Sequence, residues 1–250
     1  MAFSTQPVRE RVSAEEWALR VALAACHRLF AELGMVDLIF NHITARVPGA
    51  GHEILISPYG MAYDELTAST LHKIDLDGNI LMAGVEHFGV NPAGYVIHSA
   101  VHGARADAAC VIHTHTRASS AVSAMESGLL PISQHAMNFV GHIAYHDYDR
   151  PGKLDERPRL VADLGDRNSM ILRNHGTLTV GQSVAHAFLL AHRLEMACRI
   201  QVDALSGGTL VMPPPATYEG LGGRGVTPSV ELVWQAMLRR LDRRDPSYAD

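Results

Sequence analysis

Residues 109–115 read Ala-Cys-Val-Ile-His-Thr-His, a short stretch that is mostly apolar and rich in β-branched side chains. Such a stretch predicts a buried strand. Because side chains two positions apart on a strand point to the same face, His113 and His115 should project side by side. Two neighbouring imidazoles can share one divalent cation, or they can be hydrogen-bonded histidines of the core. The pair alone leaves both interpretations open.

A third histidine favours the metal. The apolar stretch Ser169–Arg173 predicts another short strand, and it is followed directly by Asn174-His175-Gly176. His175, at a strand end beside a glycine, could join His113 and His115 at one site. Three protein ligands leave a coordination position open, which a catalytic ion needs and a structural ion does not.

These residues carry a family resemblance. Ile-His-Thr-His-Thr at 112–116 and Asn-His-Gly at 174–176 resemble motifs of the class II aldolase/adducin family, which includes the L-fuculose-phosphate and L-ribulose-phosphate enzymes. The segment 96–107 resembles especially the branch that contains the adducin head domain, and the likeness extends over roughly residues 14–205. The resemblance implies a divalent ion on His113, His115 and His175, with Zn2+ expected and Mn2+ or Fe2+ as alternatives. It also implies a homotetramer.

The pattern along the chain indicates an α/β protein, since predicted strands joined by hairpins alternate with helices. The resemblance narrows this to a single three-layer α/β/α domain with a central, largely antiparallel sheet. We predict a flexible arm at 1–12, the domain at 13–205, and a linker with a C-terminal helix at 206–250, packed on the same domain or on a neighbouring subunit. Within the domain, we predict a strand at 37–47 and one long helix at 180–203.

Composition excludes several classes of protein. The net charge of -5 argues against nucleic-acid and anionic-membrane partners, and no apolar run approaches the length of a membrane span. The N-terminus lacks the basic start and apolar core of a signal peptide. The three cysteines have no paired spacing, which indicates reduced thiols. We therefore expect a cytoplasmic protein whose partner is a small carboxylic or carbonyl compound.

The candidate substrate-binding residues come from the resemblance. Asn41-His42 occupies the place of Gly-Asn in the family's Gly-Asn-x-Ser segment, and Ser57-Pro-Tyr59-Gly60 resembles its Thr/Ser-Pro-x-Gly turn. In the sugar-phosphate aldolases both segments help to bind the substrate phosphate through backbone N–H groups and short polar side chains. An ordinary strand and turn would explain the same residues.

The most informative departure from the family lies at Gly94. The family's Pro-Ser-Ser-Glu segment falls on Asn91-Pro92-Ala93-Gly94, so both phosphate-binding hydroxyls and the acid/base carboxylate are missing. A glycine cannot transfer a proton, so the standard aldol mechanism does not carry over unaltered. The loss of the serines implies a substrate without phosphate, and Gly94 remains a candidate substrate contact through its backbone.

Two residues are candidates for proton transfer. His135 falls close to the place where the fuculose-phosphate enzyme has a catalytic Tyr, and an imidazole titrates near neutral pH. A surface histidine without a role is the simpler interpretation of any one such residue. Tyr145 lies on a predicted strand at 142–148 and points to the opposite face from His146, so at most one of the two faces the site.

Three functions remain. The first is a divalent-metal-dependent carbon–carbon lyase, a decarboxylase or retro-aldolase, acting on a non-phosphorylated oxo- or hydroxy-carboxylic acid, aromatic acids included. In it the metal would stabilise an enolate. The second is a non-haem iron oxygenase on the same histidines, because three imidazoles with open positions suit Fe(II) as well as Zn2+. The third is an adducin-like interaction domain without catalysis.

Overall fold

The computed structural model describes residues 6–49, 51–148, 154–218 and 229–250. Eight strands form one sheet in the order β4-β3-β2-β1-β5-β8-β7-β6. All neighbouring strands pair antiparallel except β6 and β7, which are parallel. The strands are β1 (His42–Arg46), β2 (Ile54–Ile56), β3 (His72–Ile74), β4 (Ile80–Met82), β5 (Cys110–Thr114), β6 (Ile143–His146), β7 (Ser169–Leu172) and β8 (Gly176–Gly181).

Helices cover both faces of this sheet. The helices are α1 (Ala14–Glu32), α2 (Pro92–Ala104), α3 (Arg117–Ser123), α4 (Gln134–Met137), α5 (Arg157–Leu164), α6 (Val184–Gly207) and α7 (Val230–Arg244). The main core lies on one face, where α1, α6 and α7 pack over residues such as Ile43 and Ile112. A second core lies on the other face, where α2 and α5 cover residues such as Val111. The predicted three-layer α/β/α class with a largely antiparallel sheet is confirmed.

Successive side chains of β1 and β5 point alternately to these two cores, and this alternation determines on which face each histidine lies. Ile43 and Ile112 face the main core, so His42, Thr44 and His113 lie on the face that α2 covers. His42 is the register partner of His113. The ends of β1 and β5 therefore bring two histidines next to each other under the start of α2.

Three boundaries differ from the sequence-based prediction. The strand predicted at 37–47 begins only at His42, because Leu38 has a φ of +49° and the Phe40 N–H donates to the Asp37 carbonyl in a turn. The helix predicted to start at 180 starts at Val184, where the Ser183 side chain accepts from the His186 N–H. Residues 176–181 instead form β8, which pairs with both β5 and β7.

The described segments before α1 and after α6 contribute no strand to the sheet. The first five residues of the arm predicted at 1–12 lie outside the described residues, as do residues 219–228 of the predicted linker. Helix α7 packs on α1 and α6 of the same chain, and its Trp234 and Leu241 belong to the main core. Across the described residues, the helices are either too short or too polar to cross a lipid bilayer.

Candidate metal centre

Three histidines meet at one end of the central strands. The Nε2 atom of His115 lies 2.8 Å from Nε2 of His113 and 2.9 Å from Nε2 of His175. The ring centroids are 4.5–4.8 Å apart. Among the described residues, this trio is the one group of three or more His, Cys, Asp or Glu whose ligand atoms all lie within 4.8 Å of one another. The structure thus brings together all three predicted metal ligands.

The local backbone explains how His175 reaches the other two. Asn174 has a φ of +55°, a left-handed conformation that Asn adopts more readily than most residues. At Gly176, a Cβ atom would lie 2.2 Å from the Thr114 carbonyl oxygen, so only glycine permits this close approach of β8 to β5. The Asn-His-Gly sequence therefore turns the chain so that His175 lies over the end of β5.

The hydrogen bonds of the ring nitrogens decide which atoms can bind a metal. His113 Nδ1 donates to the Thr177 carbonyl at 2.9 Å, which leaves the Nε2 lone pair free in the neutral ring. His115 Nδ1 lies 3.6 Å from Asp37 Oδ2, so a proton on Nδ1 is favoured and Nε2 is again free. The lone pairs of His113 and His115 therefore converge across 2.8 Å. Such an arrangement fits a divalent cation between them.

Electrostatics keep the rings in the form that a metal requires. Burial lowers the pKa of His113 well below its usual range, with the neighbouring histidines adding to the shift. Burial also lowers the pKa of His175 to about 4. The pKa of His115 is lowered by burial and partly restored by the charge of Asp37. Neutral imidazoles near pH 7 can bind a cation without first losing a proton.

One side of the cluster is open. His113 is buried, whereas the His115 side chain is 20% exposed and His175 is half-buried. A small molecule could therefore reach an ion on the three Nε2 atoms from the solvent side. This is the arrangement expected of a catalytic ion rather than a closed structural one.

Asn41 positions one of the ligands. Its buried side chain accepts from the His115 N–H at 3.0 Å and donates to the Met35 carbonyl at 2.9 Å. Both ends of the amide are thus engaged within the protein, and the side chain connects the end of β5 to the loop before β1. The substrate contact predicted for Asn41 remains a prediction.

The predicted phosphate turn lies at the end of β2. The Tyr59 N–H donates to the Gly89 carbonyl at 2.9 Å, and Gly60 has a φ of +124°. A Cβ atom at Gly60 would lie 2.7 Å from the Phe88 ring, so this turn packs against residues 88–89. Ser57 is buried, and no described contact joins this turn to the three histidines. Its role in substrate binding also remains a prediction.

Gly94 lies in the first turn of α2, directly against His42. A Cβ atom at Gly94 would lie 2.4 Å from both Nε2 and Cδ2 of the His42 ring. The His42 ring therefore occupies the space that the Cβ atom of any other residue at position 94 would need. The His42 ring and a side chain at position 94 would therefore compete for the same space.

The two predicted proton-transfer residues, His135 and Tyr145, make their described contacts with residues other than the three histidines. His135 is in the short helix α4, and burial, with His135 as a neighbour, lowers the pKa of His192 on α6. The Tyr145 hydroxyl accepts from the Leu129 N–H at 3.1 Å, and the guanidinium of Arg173 lies 4.4 Å from its ring centroid. Neither residue makes a described contact with the three histidines, and their catalytic roles stay predictions.

Sequence reasoning did not assign three further residues that border the cluster. They are His42, Asp37 and Tyr148, whose ring centroid lies 6.4 Å from that of His175. Of the three, only His42 had a signal in the sequence. It lies on a predicted strand and stands where the family pattern has an Asn. Asp37 reaches His115 through a turn that the predicted strand did not include.

Comparisons with known proteins agree with this geometry. The profile of the class II aldolase and adducin N-terminal domain matches residues 21–202. A solved aldolase II superfamily protein from Pseudomonas syringae is 50% identical, with a TM-score of 0.92 over 98% of this chain and 100% of that one. The L-fuculose 1-phosphate aldolase from Glaciozyma antarctica is 26% identical, with a TM-score of 0.81 over 99% of this chain and 96% of that one. Rat alpha-adducin is 46% identical over 86% of this chain, which corresponds to 30% of its own length. The chain therefore belongs to the class II aldolase/adducin family.

Proposed function

We propose that this protein is a divalent-metal-dependent carbon–carbon lyase acting on a non-phosphorylated oxo- or hydroxy-carboxylic acid. One observation carries the proposal: the converging Nε2 atoms of His113, His115 and His175, open on one side. A bound divalent ion would supply Lewis-acid stabilisation of the negative charge that develops on a carbonyl oxygen during bond cleavage. We expect Zn2+, with Mn2+ or Fe2+ as alternatives.

The replacement at Gly94 favours decarboxylation within this class. In a decarboxylation the bond to the carboxylate carbon breaks, CO2 leaves, and the electron pair stays on the remaining carbon. No base has to remove a proton first, so the missing carboxylate is not an obstacle. The product then takes up a proton, for which His135 and Tyr145 are the proposed donors. A retro-aldol cleavage would need another base in the place of the absent glutamate.

We infer a substrate without phosphate from the residue types at the start of α2. Pro92 and Ala93 carry no hydroxyl group where the resemblance places two serines. The proposed substrate contacts are therefore Asn41, Ser57, Tyr59, Gly60 and the backbone at Gly94, acting on a carboxylate or carbonyl. Aromatic hydroxy-acids belong to the compounds that we would screen.

We also propose a homotetramer. Two large apolar side chains beside the cluster are strongly exposed: Leu38, next to Asp37, at 74%, and Tyr148, next to His175, at 55%. Contiguous apolar surface marks interfaces between proteins, and a neighbouring subunit that covered these two side chains would remove them from water. Light scattering after size-exclusion chromatography tests the tetramer directly, and a monomer at micromolar concentration would contradict it.

The similarity to alpha-adducin favours a second candidate function, an interaction domain without catalysis. Elemental analysis of the anaerobically purified protein separates the candidates. We expect one equivalent of zinc or manganese, lost in His113→Ala and His175→Ala and retained in the surface control His52→Ala. Iron in place of zinc would favour an oxygenase on the same histidines. Failure to bind any added divalent metal would contradict the lyase and support the interaction domain.

The reaction itself is tested by mass spectrometry. The metal-loaded protein is incubated with a panel of 2-oxo and hydroxy acids, and CO2 or a carbonyl fragment is sought. Product formation that depends on His113 and His175 supports the lyase. A metal-loaded protein that cleaves none of these acids, and consumes oxygen with one of them instead, would overturn it.

A further inference from the structure

Three buried ring nitrogens behind the metal cluster have no hydrogen-bond partner. They are Nδ1 and Nε2 of His42 and Nε2 of His98. His42 is 5% exposed and His98 is 0% exposed, so bulk water does not satisfy these atoms. Buried polar groups in proteins are almost always hydrogen-bonded. A missing partner at this place therefore indicates a ligand or a bound water molecule.

The hydrogen bonds on the far side of His98 determine its tautomer. His102 Nδ1 lies 3.0 Å from the Ala108 carbonyl, which can only accept, so Nδ1 carries the proton and Nε2 is free. The Thr44 hydroxyl lies 2.8 Å from His102 Nε2 and must donate to it. The same oxygen lies 2.7 Å from His98 Nδ1 and must accept from it. His98 Nε2 is therefore an acceptor that lacks a donor.

Burial supports the neutral state that this assignment needs. It lowers the pKa of His102 to about 3 and the pKa of His98 well below its usual range. The ring of His42 lies edge-on to that of His98, with centroids 6.0 Å apart. His42 is thus the neighbour that can supply the missing donor to His98 Nε2 through one water molecule.

His42 also borders the metal centre. Its ring lies parallel to that of His113, with centroids 6.3 Å apart and an angle of 10° between the planes. The ring is buried, and its described contacts include no carboxylate that would stabilise a charged imidazole, so the site accommodates the neutral form. A neutral imidazole has one N–H group and one free lone pair. If the N–H faces His98, the lone pair remains for a ligand.

We propose that His42 is a specificity-determining residue whose free ring nitrogen accepts a hydrogen bond from a hydroxyl group of the substrate, while its N–H serves His98. The inference rests on the proposed function, and it narrows the substrate to hydroxy-carboxylic acids. A carboxylate or a carbonyl oxygen has no proton to donate, so neither can satisfy this nitrogen. A compound without the hydroxyl group leaves the nitrogen unpaired when it displaces the bound water.

The test compares two small probes on the zinc-loaded protein. Binding of glycolate, a 2-hydroxy acid, and of acetate is measured by calorimetry for the unaltered chain and for His42→Phe. The intrinsic preference of zinc for glycolate is common to both proteins. A difference between them in the ratio of glycolate affinity to acetate affinity is therefore due to His42. A net hydrogen bond of ordinary strength predicts a loss of about three- to tenfold in glycolate affinity, whereas acetate affinity should be unchanged or higher, because the variant has no ring nitrogen to leave unpaired. His42→Asn, which keeps a polar group, should recover part of the loss.

A second measurement does not depend on metal or on any variant. Nitrogen-15 NMR of the histidine rings in the metal-free protein should show His98 protonated at Nδ1 and His42 neutral. His98 protonated at Nε2 would overturn the inference. So would an equal loss of glycolate and acetate affinity in His42→Phe, or no loss at all, with zinc binding intact. If the unaltered chain binds no zinc, the proposed function fails and the inference fails with it.

Discussion

The Nε2 atoms of His113 and His115 lie 2.8 Å apart, and the partners of the two Nδ1 atoms, the Thr177 carbonyl and the Asp37 carboxylate, favour tautomers in which neither Nε2 carries a proton. In the absence of a cation, two lone pairs face each other at hydrogen-bond distance. A proton could occupy the gap only by charging a ring whose pKa is lowered by burial. A divalent ion removes this repulsion, and therefore metal binding and folding stability should be linked at this site.

The first prediction follows from that linkage. Zinc at about a hundred times its dissociation constant should stabilise the native protein by about 2.7 kcal/mol. For a chain of this size, that corresponds to a rise in melting temperature of about 5–10 °C. Differential scanning fluorimetry with and without a chelator measures it. His113→Ala should abolish the rise and the surface variant His52→Ala should retain it; a rise that survives His113→Ala would place the ion elsewhere.

The second prediction concerns Asn41, whose amide connects the His115 N–H to the Met35 carbonyl. Asn41→Ala leaves a buried N–H and a carbonyl without partners, which costs about 1–3 kcal/mol for each unsatisfied group. It should also weaken zinc binding, because His115 loses the bond that positions its backbone. Urea unfolding and a competitive zinc chelator measure the two effects.

Asn41→Asp is the matched control. It keeps an oxygen for the His115 N–H, but it replaces the donor to Met35 by a carboxylate oxygen and adds a buried negative charge. Stability should therefore fall as in Asn41→Ala, whereas zinc affinity should stay closer to that of the unaltered chain. If Asn41→Ala instead retains full stability and zinc affinity but binds small acids poorly, Asn41 is a substrate contact, as its sequence context predicts.

The sequence predicted that the three histidines form one cluster because their signal is local. Strand periodicity pairs His113 with His115, and a histidine between Asn and Gly at a strand end marks the third ligand. The layer architecture was also predictable, since it follows from alternating apolar patterns and the family resemblance. Strand β8 was missed although Thr177–Val180 alternates between polar and apolar residues, because the stretch is short and its end was assigned to the following helix.

The environment of the cluster was not predictable, because it depends on contacts between distant segments. His42 lies next to Gly94, 52 positions away, and only the packing of α2 on β1 brings them together. Asp37 reaches His115 because Leu38 adopts a left-handed conformation, which a leucine rarely does. Neither feature has a periodic signature in the sequence.

The third prediction tests the relationship between Gly94 and His42. In Gly94→Ala the new Cβ atom would lie 2.4 Å from the His42 ring, so the ring must move. Overpacking of this kind typically costs about 1–3 kcal/mol. Gly103→Ala, in the same helix, meets only Leu76 Cδ1 at 3.5 Å and should be neutral or slightly stabilising. Urea unfolding of both variants measures the difference.

The double variant His42→Asn with Gly94→Glu provides the complementary test. The smaller side chain should make room for the carboxylate, and the pair should be more stable than Gly94→Glu alone. Equal stability of the single and double variants would show that His42 does not limit the space at position 94.

The last prediction concerns acid stability. Burial lowers the pKa of His27 to about 4, and its Nδ1 donates to the Leu23 carbonyl at 2.8 Å within α1. In the unfolded chain the same ring has a pKa of about 6.5. Between these two values the unfolded state binds more protons than the folded state, so stability rises with pH. The contribution of His27 is complete above pH 6.5 and is lost as the pH falls towards about 4.

The free energy of unfolding of the metal-free protein should therefore decrease by about 1.4 kcal/mol per pH unit for each such histidine below pH 6.5. His102, with a pKa of about 3, acts in the same direction over a wider range. His27→Gln should reduce the loss between pH 7.5 and 5.5 by about 1.4 kcal/mol, as measured by urea unfolding at the two pH values. An identical pH dependence in the variant would mean that His27 is already accessible to protons in the native state.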